Sequence, residues 1–318
     1  MSRNKKVSES LFQFMNLLIA LLMKNGQYRT SLHYRATLNS FKRYRDNQDI
    51  ALSEIDADVM RSYEAYLHHT AKVCSNTSSF YLRILRATYN KAVAKGLTPQ
   101  QHPFREVYTG IAQTRKRAIS TESVSQIKRL ESVKKLSPKE EMARDTFLMS
   151  FYLRGISFID LAHLRKSDLK DDYLHYTRSK TGQRLTIRWE KEMQELLEKY
   201  QAQTVTSPYL FPFLVDEGNK RLDKTIDKKQ DEKRLYHNAE ARISYHLRKL
   251  GDKIGIKGKL PLYVARHSWA TAARDNQIPI SVISEALGHH SEITTQIYLR
   301  SIKSSEVDDA NAKILAVL

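Results

Sequence analysis

Residues 260–300 read LPLYVARHSWATAARDNQIPISVISEALGHHSEITTQIYLR. This one span holds a guanidinium (Arg266), three imidazoles (His267, His289, His290) and a phenol (Tyr298). Pro261 opens a helix through Val264, His267, Ser268, Ala270 and Thr271, a run of small residues compatible with helix. Asp275-Asn276 breaks it. Pro279 and Ile280 start a second helix over 281–287, and Gly288 ends it where a left-handed residue is usually needed. His289 is therefore expected just past a helix end, on a turn held by packed helices. A further helical turn from Glu292 brings Tyr298 back towards it.

A free tyrosine has a pKa of about 10 and is a poor nucleophile at neutral pH. It becomes useful when the target is a phosphodiester whose developing charge is already clamped by Arg and His donors. Tyr298 with Arg266 and His289 fits transfer of a phosphoryl group from DNA to tyrosine. Any one of the 17 tyrosines taken alone is more simply a packed phenol with a hydrogen-bond partner. The order of the neighbouring residues argues otherwise.

Composition agrees. The 318 residues suffice for two domains, and the net charge of +18 favours a polyanionic partner. Residues 1–118 hold 19 Lys and Arg against 8 Asp and Glu, so the basic excess is densest there, as a DNA clamp requires. No apolar run is long enough to cross a bilayer, and no secretory signal is visible, so no membrane partner is expected. A single cysteine, Cys74, excludes an internal disulfide and a cysteine-rich zinc site. The expected compartment is the reducing cytoplasm, beside the nucleoid. No metal-ligand cluster is evident, and no cofactor is expected.

Residues 7–110 read as helices only. Leu11, Phe14, Leu17, Leu18, Leu21 and Leu22 recur at helical spacing. Thr30 or Ser31 caps a second helix, with Tyr34, Leu38, Phe41 and Tyr44 on one side and Arg35, Lys42 and Arg43 on the others. Asp56 or Asp58 begins a third. Asn76-Thr77-Ser78 begins a fourth, which carries Arg83, Arg86 and Lys91. Basic helices are often only solvated faces. The mixture of Ser79, Arg83 and Thr88 suits phosphate and base-edge contact together. Residues 111–121 form a polar, basic linker in which Arg115, Lys116 and Arg117 can lie along a DNA backbone.

Beyond the linker the pattern changes. A short amphipathic helix spans 121–130. Ser137-Pro138-Lys139-Glu140 is a capping box with proline at the first helical position, and Gly155 ends the helix it opens. Ser157 to Asp160 opens another helix, over 158–164. Residues 173–178 and 184–189 alternate and form a hairpin whose turn holds Lys180 and Gly182. Helices follow at 191–200 and 237–250, with a charged loop at 214–235 between them. The fold class expected is mainly α with a small antiparallel β-sheet.

ARHSWAT, ALGHHSEITTQIY and the RSKTGQ hairpin resemble, in order and spacing, the C-terminal boxes of the tyrosine recombinase (phage-integrase) family. LRGISFIDLAHL, YVARHSWAT and TRKRAIS resemble its Bacteroidetes-type branch of integrases and DNA invertases. The resemblance implies a two-domain, C-shaped DNA clamp. A helical, SAM-like core-binding domain would occupy 1–110, the basic linker 111–121, and the catalytic domain 122–318 with a C-terminal helix at 305–318. It implies Tyr298 as nucleophile and Arg266 as the second arginine of the phosphate clamp. His289 would donate to the scissile phosphate, Lys180 would protonate the leaving 5′ oxygen, and Asp160 would support the clamp. Implied partners are double-stranded DNA with inverted-repeat core sites and, on two such sites, a homotetramer. The free protein would be a monomer or weak dimer.

Two departures matter. The family usually has histidine three residues before the box arginine, where this chain has Tyr263, a phenol that cannot be a base at neutral pH. The first clamp arginine is replaced by Ser157, which has its own role as a helix cap. Either Arg154 reaches in from the preceding helix, or the clamp has one arginine fewer. Little sequence precedes Val7, which leans towards an invertase over an integrase with an added arm-binding domain. The tail repeats apolar residues at Val307, Ala310, Ile314 and Leu318. It is expected to dock on a neighbouring protomer, with docking at home as the alternative. A relaxing topoisomerase and a non-catalytic DNA-binding regulator are the competing functions.

Overall fold

The structure is a computed structural model that describes residues 10–112, 118–133, 135–215, 228–256, 258–289 and 291–299; the side chains of 131–133, 228–229 and 297–298 lie outside that description. The tail from residue 300, expected to carry a helix, also lies outside it. The chain divides into two compact units, Met1–Thr114 and Arg115–Leu318. It is mostly helical with one three-stranded antiparallel sheet, as the sequence predicts.

The first unit contains helices α1 (Leu11–Lys24), α2 (Tyr28–Tyr44), α3 (Ala57–His69) and α4 (Ser75–Ala94). Their apolar stripes meet in a core that includes Leu11, Met15, Leu38, Phe41, Met60, Tyr63, Leu67, Leu82, Leu85 and Tyr89. Phe41 and Tyr63 pack edge-to-face at 4.8 Å. Burial pushes the Tyr63 phenol well above its usual range, and its hydroxyl donates to Ser40 Oγ at 2.8 Å. Asp56 caps α3 by accepting from the Val59 amide at 2.8 Å, a contact of the kind that contributes about 1 kcal/mol.

Three expectations for this unit need correction. Helix α2 starts at Tyr28, ahead of Thr30 and Ser31, because Ser31 is buried and its hydroxyl donates to the Tyr28 carbonyl at 2.7 Å. Helix α4 starts at Ser75, and Asn76 instead clasps the backbone of Ala112, accepting at 2.8 Å and donating at 3.0 Å. Ser79 and Thr88 are fully buried and donate to the carbonyls of Gly110 and Ile84, so neither is presented for contact with bases.

The second unit runs through α5 (Thr121–Val133), α6 (Pro138–Tyr152) and α7 (Phe158–Ala162), then strands β1 (Leu169–Lys170), β2 (Tyr173–Thr177) and β3 (Arg184–Arg188). Helices α8 (Lys191–Glu198), α9 (Lys228–Lys253), α10 (Tyr263–Asp275), α11 (Ile280–Ala286) and α12 (Glu292–Leu299) follow. The sheet order is β1-β2-β3, with Leu174 opposite Ile187 and both buried. Its core includes Phe147, Leu148, Leu174, Ile187, Ile243, Leu247, Leu250, Val264 and Ala265.

The capping box forms as expected: the Ser137 amide donates to Glu140 Oε2 at 3.0 Å. Lys253 donates to the other carboxylate oxygen at 2.6 Å, tying the start of α6 to the end of α9. That bond first, and the Ser137 amide second, hold the Glu140 carboxyl down at about 2.

Differences here have simple causes. Strand β1 has two residues, too few to show an alternation. Helix α7 stops at Ala162, two residues short of the expected end. Helix α9 begins at Lys228, so the later part of the expected 214–235 loop is helical. Its charges are used locally: Asp231 pairs with Arg234 at 2.6 Å and Glu232 meets His163 at 3.0 Å. The buried stripe Tyr236, Ala239, Ile243, Leu247 and Leu250 gives the helix its packed face. Among the described residues no helix is long and apolar enough to cross a membrane.

Candidate active site

The turn that follows α6 approaches α10 so closely that its backbone lies on a side chain of that helix. Gly155, with φ +77°, permits this: a Cβ there would overlap the Cα and Cβ of Arg266. Arg266 is 5% exposed, and its guanidinium is spent on main-chain acceptors. Nη1 donates to the Gly155 carbonyl at 3.0 Å, and Nη2 donates to the Leu287 carbonyl and to His289 Nε2, the latter at 3.0 Å. Nε has no partner among the described residues.

Helix α11 ends as the sequence predicts. The Gly288 amide donates to Glu285 O at 2.9 Å and the His289 amide to Ser284 O at 3.0 Å, closing a Schellman turn with Gly288 at φ +63°. This turn offers two outward carbonyls in succession, Leu287 and Gly288. Arg266 takes the first. Arg178 takes the second, through Nη1 at 2.6 Å, and is itself buried. Two guanidiniums from distant parts of the chain thus converge on one helix end.

Arg178 is held from behind. It leads the 178–183 turn of the hairpin, where its amide donates to Gln183 O and the Gly182 amide donates to Arg178 O, each at 2.8 Å. Asp160, buried in α7, fixes the root of this turn: Oδ1 accepts from the Ser179 amide at 2.9 Å and Oδ2 from the Ser157 hydroxyl at 2.7 Å. Ser157 is also the cap of α7, as expected. Lys180 stands exposed on the turn, near enough for its charge to bear on His289.

The electrostatics follow from this crowding. Burial first, and then the neighbouring Arg178 charge, push Arg266 down to about 10, so it remains a cation at neutral pH. Burial, then Arg266, Arg178 and Lys180, hold the His289 imidazole down at about 4, so it is neutral. Among the described residues no carboxylate pairs with either guanidinium. Two adjacent buried cations, with the Asp160 charge bearing on Arg266 but no carboxylate in direct contact with either among the described residues, make a site suited to an incoming anion. No group of three or more His, Cys, Asp or Glu that could hold a metal ion occurs among the described residues.

The remaining candidates fall as follows. Tyr263 opens α10, with its ring edge-on to His267 at 4.8 Å. Burial raises its phenol pKa, and Arg266 and Arg178 partly oppose this, so the group stays protonated at neutral pH. Arg154 follows α6 at φ +56°. Its charge bears on the Tyr176 phenol, which burial, then Asp160, raises to about 12. The cations that bear on His289 are Arg266, Arg178 and Lys180 instead. The Tyr298 backbone lies in α12, while its side chain is outside the described atoms.

Two residues escaped the sequence reading. Arg178 stands two residues before Lys180, and strand alternation from buried Leu174 through Tyr176 carries it to the inward face. Thr295, fully buried on α12, accepts a hydrogen bond from His289 Nδ1 at 2.8 Å. It lies three residues before Tyr298 in that helix.

In the first unit, Arg35 and Lys42 stand seven residues apart on α2, and so share a face with each other. Lys42 lies over the Phe12 ring at 5.3 Å, Arg35 reaches Met23 Sδ at 3.6 Å, and Arg43 is exposed. On α4, Arg83 donates to Ser79 O at 3.4 Å, Arg86 to Thr109 Oγ1 at 2.9 Å, and Lys91 to the Tyr34 hydroxyl at 3.3 Å. Arg115, Lys116 and Arg117 lie outside the described residues.

Comparison with known proteins gives the family and the fold. Residues 10–107 match the phage integrase SAM-like domain, and residues 122–305 match the phage integrase family. The tyrosine recombinase XerC of Leptospira interrogans is 22% identical over 312 residues, 98% of this chain and 94% of that protein. The tyrosine recombinase XerA of Pyrococcus furiosus is 30% identical over 176 residues, 54% of this chain and 55% of that protein. Among solved structures, a lambda integrase dimer bound to a COC′ core site superposes with a TM-score of 0.64 at 17% identity, covering 92% of this chain and 98% of that one. The Tn1549 transposon integrase in complex with a circular-intermediate DNA gives 0.66 at 12% identity, covering 96% and 100%.

Proposed function

The chain belongs to the phage integrase family of tyrosine-type site-specific DNA recombinases, and on that premise we propose that it cuts and rejoins DNA through Tyr298. The Tyr298 oxygen attacks the scissile phosphorus, the bond to the 5′ oxygen breaks, and the strand is left as a 3′-phosphotyrosine. Lys180 gives a proton to the departing 5′ oxygen. A 5′ hydroxyl from a second strand then attacks phosphorus, and the tyrosine leaves. One phosphoester replaces another at each step, so no nucleotide cofactor is consumed.

One observation carries this reading: the buried, converging guanidiniums of Arg266 and Arg178, with no carboxylate in direct contact among the described residues and with Lys180 and neutral His289 alongside. Preformed donors aimed at developing negative charge are the largest catalytic contribution at such a centre. Arg178 is the residue we assign to the clamp position left open by Ser157. Its Nη1 meets the Gly288 carbonyl beside the Arg266 contact at Leu287, and its charge bears on both Arg266 and His289. Asp160 supports the clamp through the hairpin root, and Tyr263 lines it as a neutral hydrogen-bonding group.

Residues 1–110 would bind the core site, with Arg35, Lys42, Arg43, Arg83, Arg86 and Lys91 on phosphates, while Arg115, Lys116 and Arg117 follow the backbone along the 111–121 linker. Residues 122–318 would form the catalytic domain. A similar protein, lambda integrase, forms a tetramer on a Holliday junction, which favours four protomers acting on two inverted-repeat sites.

The test is a nicked DNA site that traps the covalent product. The wild-type chain is expected to give a denaturation-resistant protein–DNA adduct, in EDTA as well as without it, because Arg and Lys supply the neutralising charge. Tyr298→Phe should bind the same DNA and give none. An equal adduct with the Phe variant would overturn the assignment. Plasmids with paired sites in opposite or like orientation then distinguish inversion from integration or excision, and a plasmid without sites tests for simple relaxation.

A further inference from the structure

Helix α9 buries Tyr236, Ala239, Ile243, Leu247 and Leu250. This turns Ala241, Ser244, Tyr245 and Arg248 outward, at i, i+3, i+4 and i+7 on the opposite face. Beyond the helix the chain returns along that face. Leu260 is buried where Gly251 leaves room for it: a Cβ on Gly251 would lie 3.1 Å from the Leu260 Cβ, tighter than ordinary packing. Between α9 and residues 259–261 a groove of about 340 Å³ remains. The small side chains of Ala241 and Ser244 give it depth, with Tyr245 and Arg248 on the helix side and Lys259 facing them.

The groove is cationic. No carboxylate lines it, and none pairs with Arg248 or Lys259 among the described residues. Arg248 rests on the Tyr245 ring, with Cζ 5.6 Å from the centroid, and Lys249 lies over the same ring at 4.8 Å. A cation already steadied on a ring loses less freedom on meeting an anion. A ring carrying two cations is poorly placed to stack a base, so the groove suits a phosphate better than a nucleobase. Residues 259–261 also lead directly into α10, where Tyr263 follows Pro261 by two residues and Arg266 by five. The groove therefore adjoins the start of the helix that carries the phosphate clamp.

We infer that Arg248 and Lys259 hold a phosphodiester of the DNA duplex outside the scissile position, at a second phosphate site that the clamp residues do not touch. The inference rests on the recombinase reading above. This site binds and does not react. Contacts to the backbone fix register on a duplex, so a phosphate held here sets which phosphate reaches Arg266 and Arg178.

The first experiment measures equilibrium binding of the full chain to a random-sequence duplex, which requires no cleavage. Arg248→Gln with Lys259→Gln should lower the slope of log affinity against log salt by about 0.9, the value for one phosphate of B-DNA. Arg248→Lys with Lys259→Arg, which keep both charges, should leave the slope in place. An unchanged slope in the glutamine variant, or an equal fall in the charge-keeping one, would overturn the inference.

The second experiment locates the contact. Each phosphate of the recombination site is replaced in turn by a neutral methylphosphonate. The wild-type chain should lose roughly tenfold in affinity at one non-scissile position, as for one lost charge-assisted hydrogen bond. The glutamine variant should lose nothing further there while still responding at other positions. Losses that add to the glutamine effect at every position would show a diffuse field with no phosphate site, and would sink the idea. The outcomes also separate the two readings. If wild type forms no adduct on a nicked site yet the slope still depends on Arg248 and Lys259, the recombinase reading falls and the phosphate site stands. If the adduct forms normally and the slope does not change, the phosphate site falls alone.

Discussion

Arg178, which we assign to the phosphate clamp, shows how a residue central to a site can escape a reading of the sequence. The departure at Ser157 prompts a search along the neighbouring sequence, and Arg154 is three residues away. The structure offers a guanidinium from a strand end instead, brought in through a carbonyl 110 residues further along the chain. Arg178→Gln should slow cleavage by a hundred- to a thousand-fold, about 2.7–4 kcal/mol, as for loss of one donor at a developing oxyanion. Arg154→Ala should slow it less than tenfold. Single-turnover adduct formation on saturating DNA separates the two, and the reverse ranking would return the clamp to Arg154. Arg266, His289 and Gly288 were legible because local signals mark them: a motif, a turn and a helix stop. Arg178 and Thr295 are defined by what they touch across the fold, and sequence spacing does not contain that.

At the scale of elements, most helices announced themselves through apolar periodicity and caps such as Asp56 and the Ser137–Glu140 box. The errors lie at boundaries. Helix α9 starts early because its first turns are charged, and charge reads as loop until the i, i+3 pairing of Asp231 and Arg234 is seen. The hairpin was legible, but the way it is aimed was not. That depends on Asp160, which bonds the Ser179 amide from α7. Asp160→Ala should free the turn while leaving the strands paired. Amide exchange at Ser179 is expected to accelerate by at least tenfold, and cleavage to fall by a comparable factor with little change in DNA affinity. Unchanged exchange at Ser179 would mean that the turn is stiff without its brace.

For the whole molecule, composition alone pointed to nucleic acid, and the 19 basic against 8 acidic residues in the first 118 mark the denser basic surface there. Charge counts do not say which cations are aimed. Arg83 and Arg86 are steadied by Ser79 and Thr109, which lowers the entropy lost on meeting a phosphate. Replacing both with alanine should reduce the slope of log affinity against log salt by about 1.8 if each neutralises one phosphate of B-DNA. An unchanged slope would remove them from the interface.

The bonds that assemble the phosphate site, Arg178 to Gly288 and Arg266 to Gly155, close loops of 110 and 111 residues. No short piece of this chain contains the site. For a DNA recombinase this bears on disposal: a proteolytic fragment that keeps α12 but lacks 155–178 keeps neither of these bonds. Breaks that separate 155–178 from 266–288 therefore take the pocket apart, and a short fragment carrying only α12 is no nuclease.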